Sequence, residues 1–399
     1  MSEAWLNSPC TDPLGRVFAR DGRIFRALFR DSAGQALETL EHPVLQSLMQ
    51  EGLVARMSRS DLRVEGYGPV LEAEKAAFDV PCGRYSFGAL RQAALDWLEI
   101  TRRLLPAGLA LTDAHFGNFM LFGANRPRWI DLGSIRRAAV LPAESPFKAF
   151  RMFWEGMLAP LLVLANRPEH SRLARLAIAD HPLQGPRVAA NEAPLSAALL
   201  LDLPLPALSS ASPEAALQEA AGLVPRERES ATPADVQMDE KLLGRVTAAL
   251  RGMDSIACIG AGTYFGMAQA LAGKDVLVIE PAEELVQQAE RSIRKNTPCR
   301  SVALYQQHCI NRLFRRDGAR ADAILALDPM RTLAHDSLAE AANIAETLSA
   351  LAARAVIVVA PYERRAATRK MLEQQFGSIA MEHFGWPYGG WDVLVCPQA

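Results

Sequence analysis

Five short apolar runs recur between residues 255 and 361: "SIACIG" (255–260), "DVLVIEP" (275–281), "SVALYQQH" (301–308), "ADAILALDP" (321–329) and "RAVIVVAP" (354–361). These runs are mainly aliphatic, so both faces of each strand must be covered. Helical sequence, such as "EELVQQAERSIRKN", separates them. Strands alternating with helices pack as a parallel sheet with helices on both faces. The tail "GSIAMEHFGWPYGGWDVLVC" (377–396) breaks the alternation, because its two strands are joined by a Gly/Pro turn with no helix between. Neighbours joined so tightly are antiparallel. The sequence therefore predicts five parallel strands and a terminal hairpin, seven in all.

The first half has a different texture. "LGRVFARDGRIFRALFR" (14–30) predicts two strands around a turn at Asp21-Gly22. Residues 33–56 read as helical, and "VEGYGPVLEAEK" (64–75) as a strand and turn. "SFGALRQAALDWLEITRRLL" (86–105) is an amphipathic helix with Ser86 as its cap. "SPFKAFRMFWEGMLAPLLVLA" (145–165) is apolar helix, expected to break at Pro160. Residues 203–238 are dominated by Pro, Ser, Ala and Glu and read as a linker, with "SPEAALQEAAGL" as one helix inside it. With 399 residues the chain exceeds one typical core. The expected division is 1–202, a linker 203–238, and 239–399, with the boundary near residue 236. No internal repeat is evident.

Charge and cysteine usage narrow the classes. A formal charge of −2 gives no footprint for nucleic acid or an anionic membrane. Six scattered cysteines without a CxxC pair argue against zinc and dithiol redox chemistry. The start "MSEAWLNSPCTDPLGR" has no basic, apolar leader, and runs such as "MLAPLLVLA" fall short of a membrane span. A cytoplasmic protein is expected.

"IACIGAGTYFGMAQ" puts Gly260, Ala261, Gly262 and Gly266 directly after a strand and before a helix. Glycine lets the chain turn tightly and lets a ligand approach the helix start. Glu280 ends the next strand, where an acid can accept hydrogen bonds from two ribose hydroxyls. With the terminal hairpin, residues 239–399 resemble class I S-adenosylmethionine-dependent methyltransferases, a Rossmann-like α/β fold with a seven-stranded sheet. The resemblance implies that Gly260, Ala261 and Gly262 hold the amino-acid end of S-adenosylmethionine and that Glu280 holds its ribose. It places Gln307-His308-Cys309 near the adenine and Asp328-Pro329 facing the reacting methyl group, with Gly266 in the same Gly-rich segment. Cys258 stands where the family usually has an acid. Asp328-Pro329 is not the polar-polar-tyrosine type of signature used on amides and amines, so the acceptor stays open. His335 and His383 are candidate bases.

"LTDAHFGNFMLFGANRPRWIDLGS" (111–134) carries Asp113, then Asn118 five residues on, then Asp131 after an apolar strand. Phosphoryl transfer uses this spacing: one Asp for the substrate hydroxyl, and an Asn and a second Asp for metal. "TDAHFGN" and "IDLG" resemble the loops of aminoglycoside- and lipopolysaccharide-type kinases, which implies an α+β kinase-like domain over about residues 14–185. On that resemblance Asp113 is catalytic, Asn118 and Asp131 hold Mg²⁺, and ATP is the nucleotide. The first lysine of the chain is Lys75, past the expected strand lysine. Arg26 or Arg30, with Glu38 or Glu41, are the available substitutes. Residues 80–165 also resemble bacterial proteins that join a kinase-like region to a class I methyltransferase domain. A related pairing, in the opposite order, occurs in enzymes that cap bacterial polysaccharides with a methyl phosphate.

Three functions follow as expectations. The first is an S-adenosylmethionine-dependent methyltransferase acting on a small-molecule or glycan-type acceptor, with an ATP-binding, kinase-like N-terminal domain. The second is a small-molecule or glycan kinase using Asp113, Asn118 and Asp131. The third is a non-catalytic binding module in which both sites are degenerate. "WPYGGW" (386–391) reads as a packed hairpin turn or a sugar-stacking surface, and "RLFRRDGAR" (312–320) as a solvated helix end or an anion-facing stretch. "FRMFWEGM" (150–157) reads as core.

Overall fold

The computed structural model describes residues 4–6, 12–141, 145–167, 170–179, 213–226, 239–280, 282–294, 298–306, 320–329, 341–384 and 390–397. Two compact units divide the chain, and neither is continuous in sequence. The first takes residues 1–76, 89–120 and 127–227; the second takes 77–88, 121–126 and 228–399.

The first unit opens with strands β1 (Ala4–Trp5), β2 (Gly15–Arg20) and β3 (Arg23–Leu28). Asp21 and Gly22 both adopt positive φ, 51° and 73°, the two-residue turn that matches strand twist. Phe18 and Phe25 stack at 5.4 Å, and both are buried with Ala27 and Val70. Helices α1 (Arg30–Glu41) and α2 (Pro43–Glu51) follow, then β4 (Met57–Ser60) and β5 (Val70–Ala73). The sheet order is β1-β2-β3-β5-β4, and its pairs are antiparallel.

The helical stretch expected over 33–56 is thus two helices. Pro43 drives His42 to extended backbone, φ −64° and ψ 130°. His42 Nδ1 then accepts the Val44 N–H at 3.3 Å. The second helix stops at Gly52, which takes the left-handed conformation at φ 77°.

Beyond it run α3 (Phe87–Leu104), β6 (Leu109–Leu111), β7 (Phe119–Phe122), β8 (Arg126–Trp129) and β9 (Ile135–Arg137). β6 pairs with β9 and β7 with β8. The expected break at Pro160 does not occur. Helix α4 (Ser145–Phe153) widens into a π-helical turn at Trp154–Leu158 and continues as α5 (Ala159–Asn166). Pro160 falls in the first turn after the widening, where a missing N–H costs little. The linker helix is present as Pro213–Leu223. Its Leu217 and Ala220 are buried, and Pro225 O accepts from Arg91 Nε at 2.8 Å.

The second unit holds a seven-stranded sheet: β10 (Ser255–Ile259), β11 (Asp275–Glu280), β12 (Ser301–Gln306), β13 (Ala321–Leu327), β14 (Ala352–Pro361), β15 (Ala380–Phe384) and β16 (Trp391–Pro397). Their order is β12-β11-β10-β13-β14-β16-β15. The first five are parallel. β16 runs antiparallel between β14 and β15. This is the mixed, Rossmann-like sheet that the five runs and the hairpin predict. One face packs Ile256, Cys258, Val276, Val278, Leu325 and Ile357 into a continuous cluster with residues of the flanking helices.

The two early segments of this unit cover the β12 edge. Tyr85 bridges to Tyr305. Asn125, at the tip of the β7–β8 hairpin with φ 59°, accepts the Leu304 N–H at 3.3 Å. Its amide donates to Glu290 Oε1 at 3.0 Å and to Ser86 Oγ at 3.3 Å. Arg294 donates to the same Glu290 oxygen at 2.8 Å. A Cβ on Gly88 would lie 2.3 Å from Glu290 Oε2, so a larger residue there would push the carboxylate from its place. A covered edge does not recruit another strand.

Candidate functional site

Each unit contains described residues of one of the two expected sets. In the second unit, β10 ends at Gly260, whose φ of 88° and ψ of 139° turn the chain into the helix Ala261–Met267. Glu280, at the end of the neighbouring β11, is 4% exposed. Its Oε2 accepts the Ala261 N–H at 3.0 Å and its Oε1 the Ala282 N–H at 2.9 Å. The acid expected to meet a ribose therefore also clamps the Gly turn. Each carboxylate oxygen carries a second lone pair that a hydroxyl could use.

Gly262 is exposed, and a Cβ built on it meets nothing within 4 Å. The turn is open to its surroundings at that point. Gly266 is buried inside the helix, as is Thr263, whose Oγ1 donates to Ile259 O and accepts the Leu327 N–H at 3.0 Å. Thr263 locks the turn between β10 and β13, a role that no motif in the sequence signals.

Asp328 follows β13 with φ 44°, rare for a non-glycine residue. Its N–H donates to Val359 O at 2.7 Å, and its Oδ2 accepts from Arg364 Nη1 at 2.6 Å. Cys258 is fully buried in the apolar cluster. Burial pushes its thiol well above the usual range, with Cys299 adding to the effect. His308, His335, Trp386 and Tyr388 lie outside the described residues. His383 is described and pairs with the buried Asp392 at 2.9 Å.

In the first unit the loop after β6 gathers Asp113, His115 and Asn118. Asp113 Oδ1 accepts the Ala114 N–H at 2.8 Å. Its Oδ2 faces His115 Nε2 at 3.0 Å and accepts from Asn118 Nδ2 at 3.3 Å. The Ile130 N–H donates to Asn118 O at 2.9 Å, which ties this loop to the start of the Asp131 turn. Asp131 Oδ1 accepts the Gly133 N–H at 2.9 Å.

Arg26, on β3, has partners other than the expected Glu38 or Glu41. Its Nη2 lies 3.1 Å from Asp12 Oδ2 and 3.9 Å from Asp131 Oδ1. Glu38 instead pairs with Arg137 and Glu41 with Arg59. Asp12 falls before β2, in sequence that carried no signal. Burial raises the Asp131 carboxyl above its usual range; Arg26 opposes this, and Asp12 and Asp113 add to it. Arg26 Nη1 is buried with no hydrogen-bond partner among the described residues.

A metal at this loop would draw on Asn118 and Asp131. Asn118 gives its amide N–H to Asp113, which leaves its carbonyl oxygen as the group for a cation. Among the described residues, no three His, Cys, Asp or Glu side chains converge as a metal site.

No protein-family model matches the sequence, and no curated protein pairs with it. Among solved structures, a SAM-dependent methyltransferase of Methanosarcina mazei aligns at 11% identity over 41% of this chain and 98% of its own, with a TM-score of 0.29. The Thermus thermophilus 16S rRNA N2 G1207 methyltransferase, in complex with AdoMet and guanosine, aligns at 15% identity over 42% of this chain and 45% of its own, with a TM-score of 0.30. A methyltransferase-like protein of Silicibacter pomeroyi aligns at 13% over 40% of this chain and 87% of its own, with a TM-score of 0.28. No helix among the described residues is long and apolar enough to cross a membrane.

Proposed function

We propose that the second unit is an S-adenosylmethionine-dependent methyltransferase acting on a small-molecule or glycan-type acceptor in the cytoplasm. The observation that carries this reading is the Glu280 clamp on the Gly turn, at the carboxyl end of the central strands of a sheet whose last two strands form an antiparallel hairpin. Open α/β sheets bind ligands at that edge. Gly260 and Gly262 would give the cofactor's amino-acid end room against the backbone, and Glu280 would take the ribose hydroxyls. Bound there, S-adenosylmethionine supplies an activated methyl group. The chain's own task is then to align an acceptor oxygen with that carbon, and alignment alone supplies much of such a rate. Asp328, held by Arg364, shapes the wall beside that position.

Calorimetric titration with S-adenosylmethionine tests the reading. Micromolar binding that Glu280→Ala abolishes is the expected result. An absence of binding in the parent protein would overturn it.

A second reading assigns phosphoryl transfer to the first unit. Arg26 Nη1, buried with no hydrogen-bond partner among the described residues, favours it, since a phosphate oxygen would satisfy that donor. Asp113 would orient a substrate hydroxyl, and Asn118 and Asp131 would hold Mg²⁺ with ATP. Magnesium-dependent ATP turnover that Asp131→Ala removes is expected; a parent protein without turnover would end this reading.

A further inference from the structure

A guanidinium carries its N–H donors in a rigid, planar fork, and a buried donor needs an acceptor. Arg26 lies on β3, in register with Val17 of β2 and Leu71 of β5. Neither of those side chains can accept a hydrogen bond, so the flanking strands do not hold the guanidinium. Asp12 holds it instead. Its Oδ2 lies 3.1 Å from Arg26 Nη2, and its Oδ1 accepts the Leu14 N–H at 2.9 Å. Both side chains are buried, Asp12 at 9% exposure and Arg26 at 11%.

A pair that only stapled the segment before β2 to the sheet would close the fork with two parallel N–H···O bonds. This pair leaves it open. One Asp12 oxygen is taken by Leu14 and the other faces Nη2. Nη1 is buried with no hydrogen-bond partner among the described residues. The acid therefore fixes one arm of the fork and leaves the other for a further group.

The pair stands at the Asp131 turn. A Cβ built on Gly133 would lie 3.1 Å from Asp131 Oδ1 and 3.4 Å from Asp12 Oδ1. Arg26 Nη2 lies 3.9 Å from Asp131 Oδ1. By charge alone Asp12 is a poor neighbour for a phosphate, because like charges repel. What it supplies is place. Arginine has many rotamers, and a side chain held before the ligand arrives loses less freedom on binding.

We infer that Asp12 is a positioning residue of the first unit, holding Arg26 by Nη2 so that Nη1 meets a phosphate oxygen of a nucleoside triphosphate. The inference rests on the phosphoryl-transfer reading. It extends that reading to a residue outside Asp113, Asn118 and Asp131. The helix acids Glu38 and Glu41 do not take the role, since they pair with Arg137 and Arg59.

The test is calorimetric titration of the full chain with ATP in magnesium chloride. Two variants separate place from charge. Asp12→Asn removes the charge and keeps the shape, whereas Asp12→Glu keeps the charge and displaces it by one methylene. Each should weaken ATP binding at least about tenfold, the worth of one hydrogen bond to a charged group. Asp12→Asn should do so although it takes away a repulsive charge, which a bystander acid would not show. In an Arg26→Lys background one nitrogen cannot serve both partners, so adding Asp12→Asn should cost no further affinity. Urea unfolding checks that each variant is folded, and Asp12→Glu carries the test if Asp12→Asn is not. ATP binding that Asp12→Asn and Asp12→Glu leave unchanged or tighten would overturn the inference. So would an equal loss from Asp12→Asn in the parent and Arg26→Lys backgrounds. A parent protein that binds no ATP would instead overturn the phosphoryl-transfer reading itself.

Discussion

The two candidate sites hold their carboxylates in different ways. In the second unit Glu280 is satisfied by backbone N–H groups of Ala261 and Ala282. In the first unit Asp12 and Asp131 face one another across a single guanidinium, that of Arg26. Backbone donors neither titrate nor disappear on substitution. A side-chain cation can be lost to a single mutation, so the Asp12–Asp131 pair, unlike Glu280, depends on one residue, Arg26.

The largest expected effect tests that dependence. Arg26→Met leaves two carboxylates without their cation and should destabilise the first unit by about 3 kcal/mol at pH 8. Arg26 is the main influence that lowers the raised Asp131 carboxyl, so its removal raises that group further. A carboxyl whose folded pKa exceeds its unfolded value loses stability when ionised and regains it as pH falls through the folded value. The deficit in urea denaturation should therefore shrink on going to pH 5. A deficit independent of pH would break the comparison.

A somewhat smaller effect is expected at Glu290, a buried acid of the second unit that relies on side chains. Glu290→Ala removes the acceptor of the Asn125 amide and of Arg294. A buried donor left unsatisfied costs about 1–3 kcal/mol, which denaturant unfolding of the second unit would register. Because Asn125 and Gly88 belong to the early segments, protease cleavage within 77–88 or 121–126 should rise in the same variant.

The smallest effect separates fold from site. Gly262→Ala places a methyl group in open space, and stability should change by less than about 1 kcal/mol. S-adenosylmethionine affinity should nevertheless fall, since the methyl occupies the room above the turn. Unchanged affinity would move the ligand away from Gly262.

The sheet of the second unit was legible because its strands are buried on both faces, and burial writes unbroken apolar runs. The Asp21-Gly22 hairpin was legible for a local reason, its two positive φ angles. Asp12, Thr263 and Asn125 were not legible. Thr263 and Asn125 act through hydrogen bonds to chain distant in sequence and Asp12 through an ion pair with Arg26, and a lone polar residue leaves no periodic trace. The spacing of Asp113, Asn118 and Asp131 marked the loop, but the partner of Arg26 depends on how β3 faces the residues before β2, which no pattern in the sequence encodes.

The two early segments that cover β12 also fix a timetable. Asn125 leaves the ribosome about 180 residues before its partner on β12, and Tyr85 earlier still, on the order of 10 s or more ahead at ordinary translation rates. During that interval their partners on β12 have not been made, and the sheet cannot reach its final form until the tail, with β16, has emerged. A chain stalled between β8 and β12 therefore carries the hairpin tip without the strand that it covers.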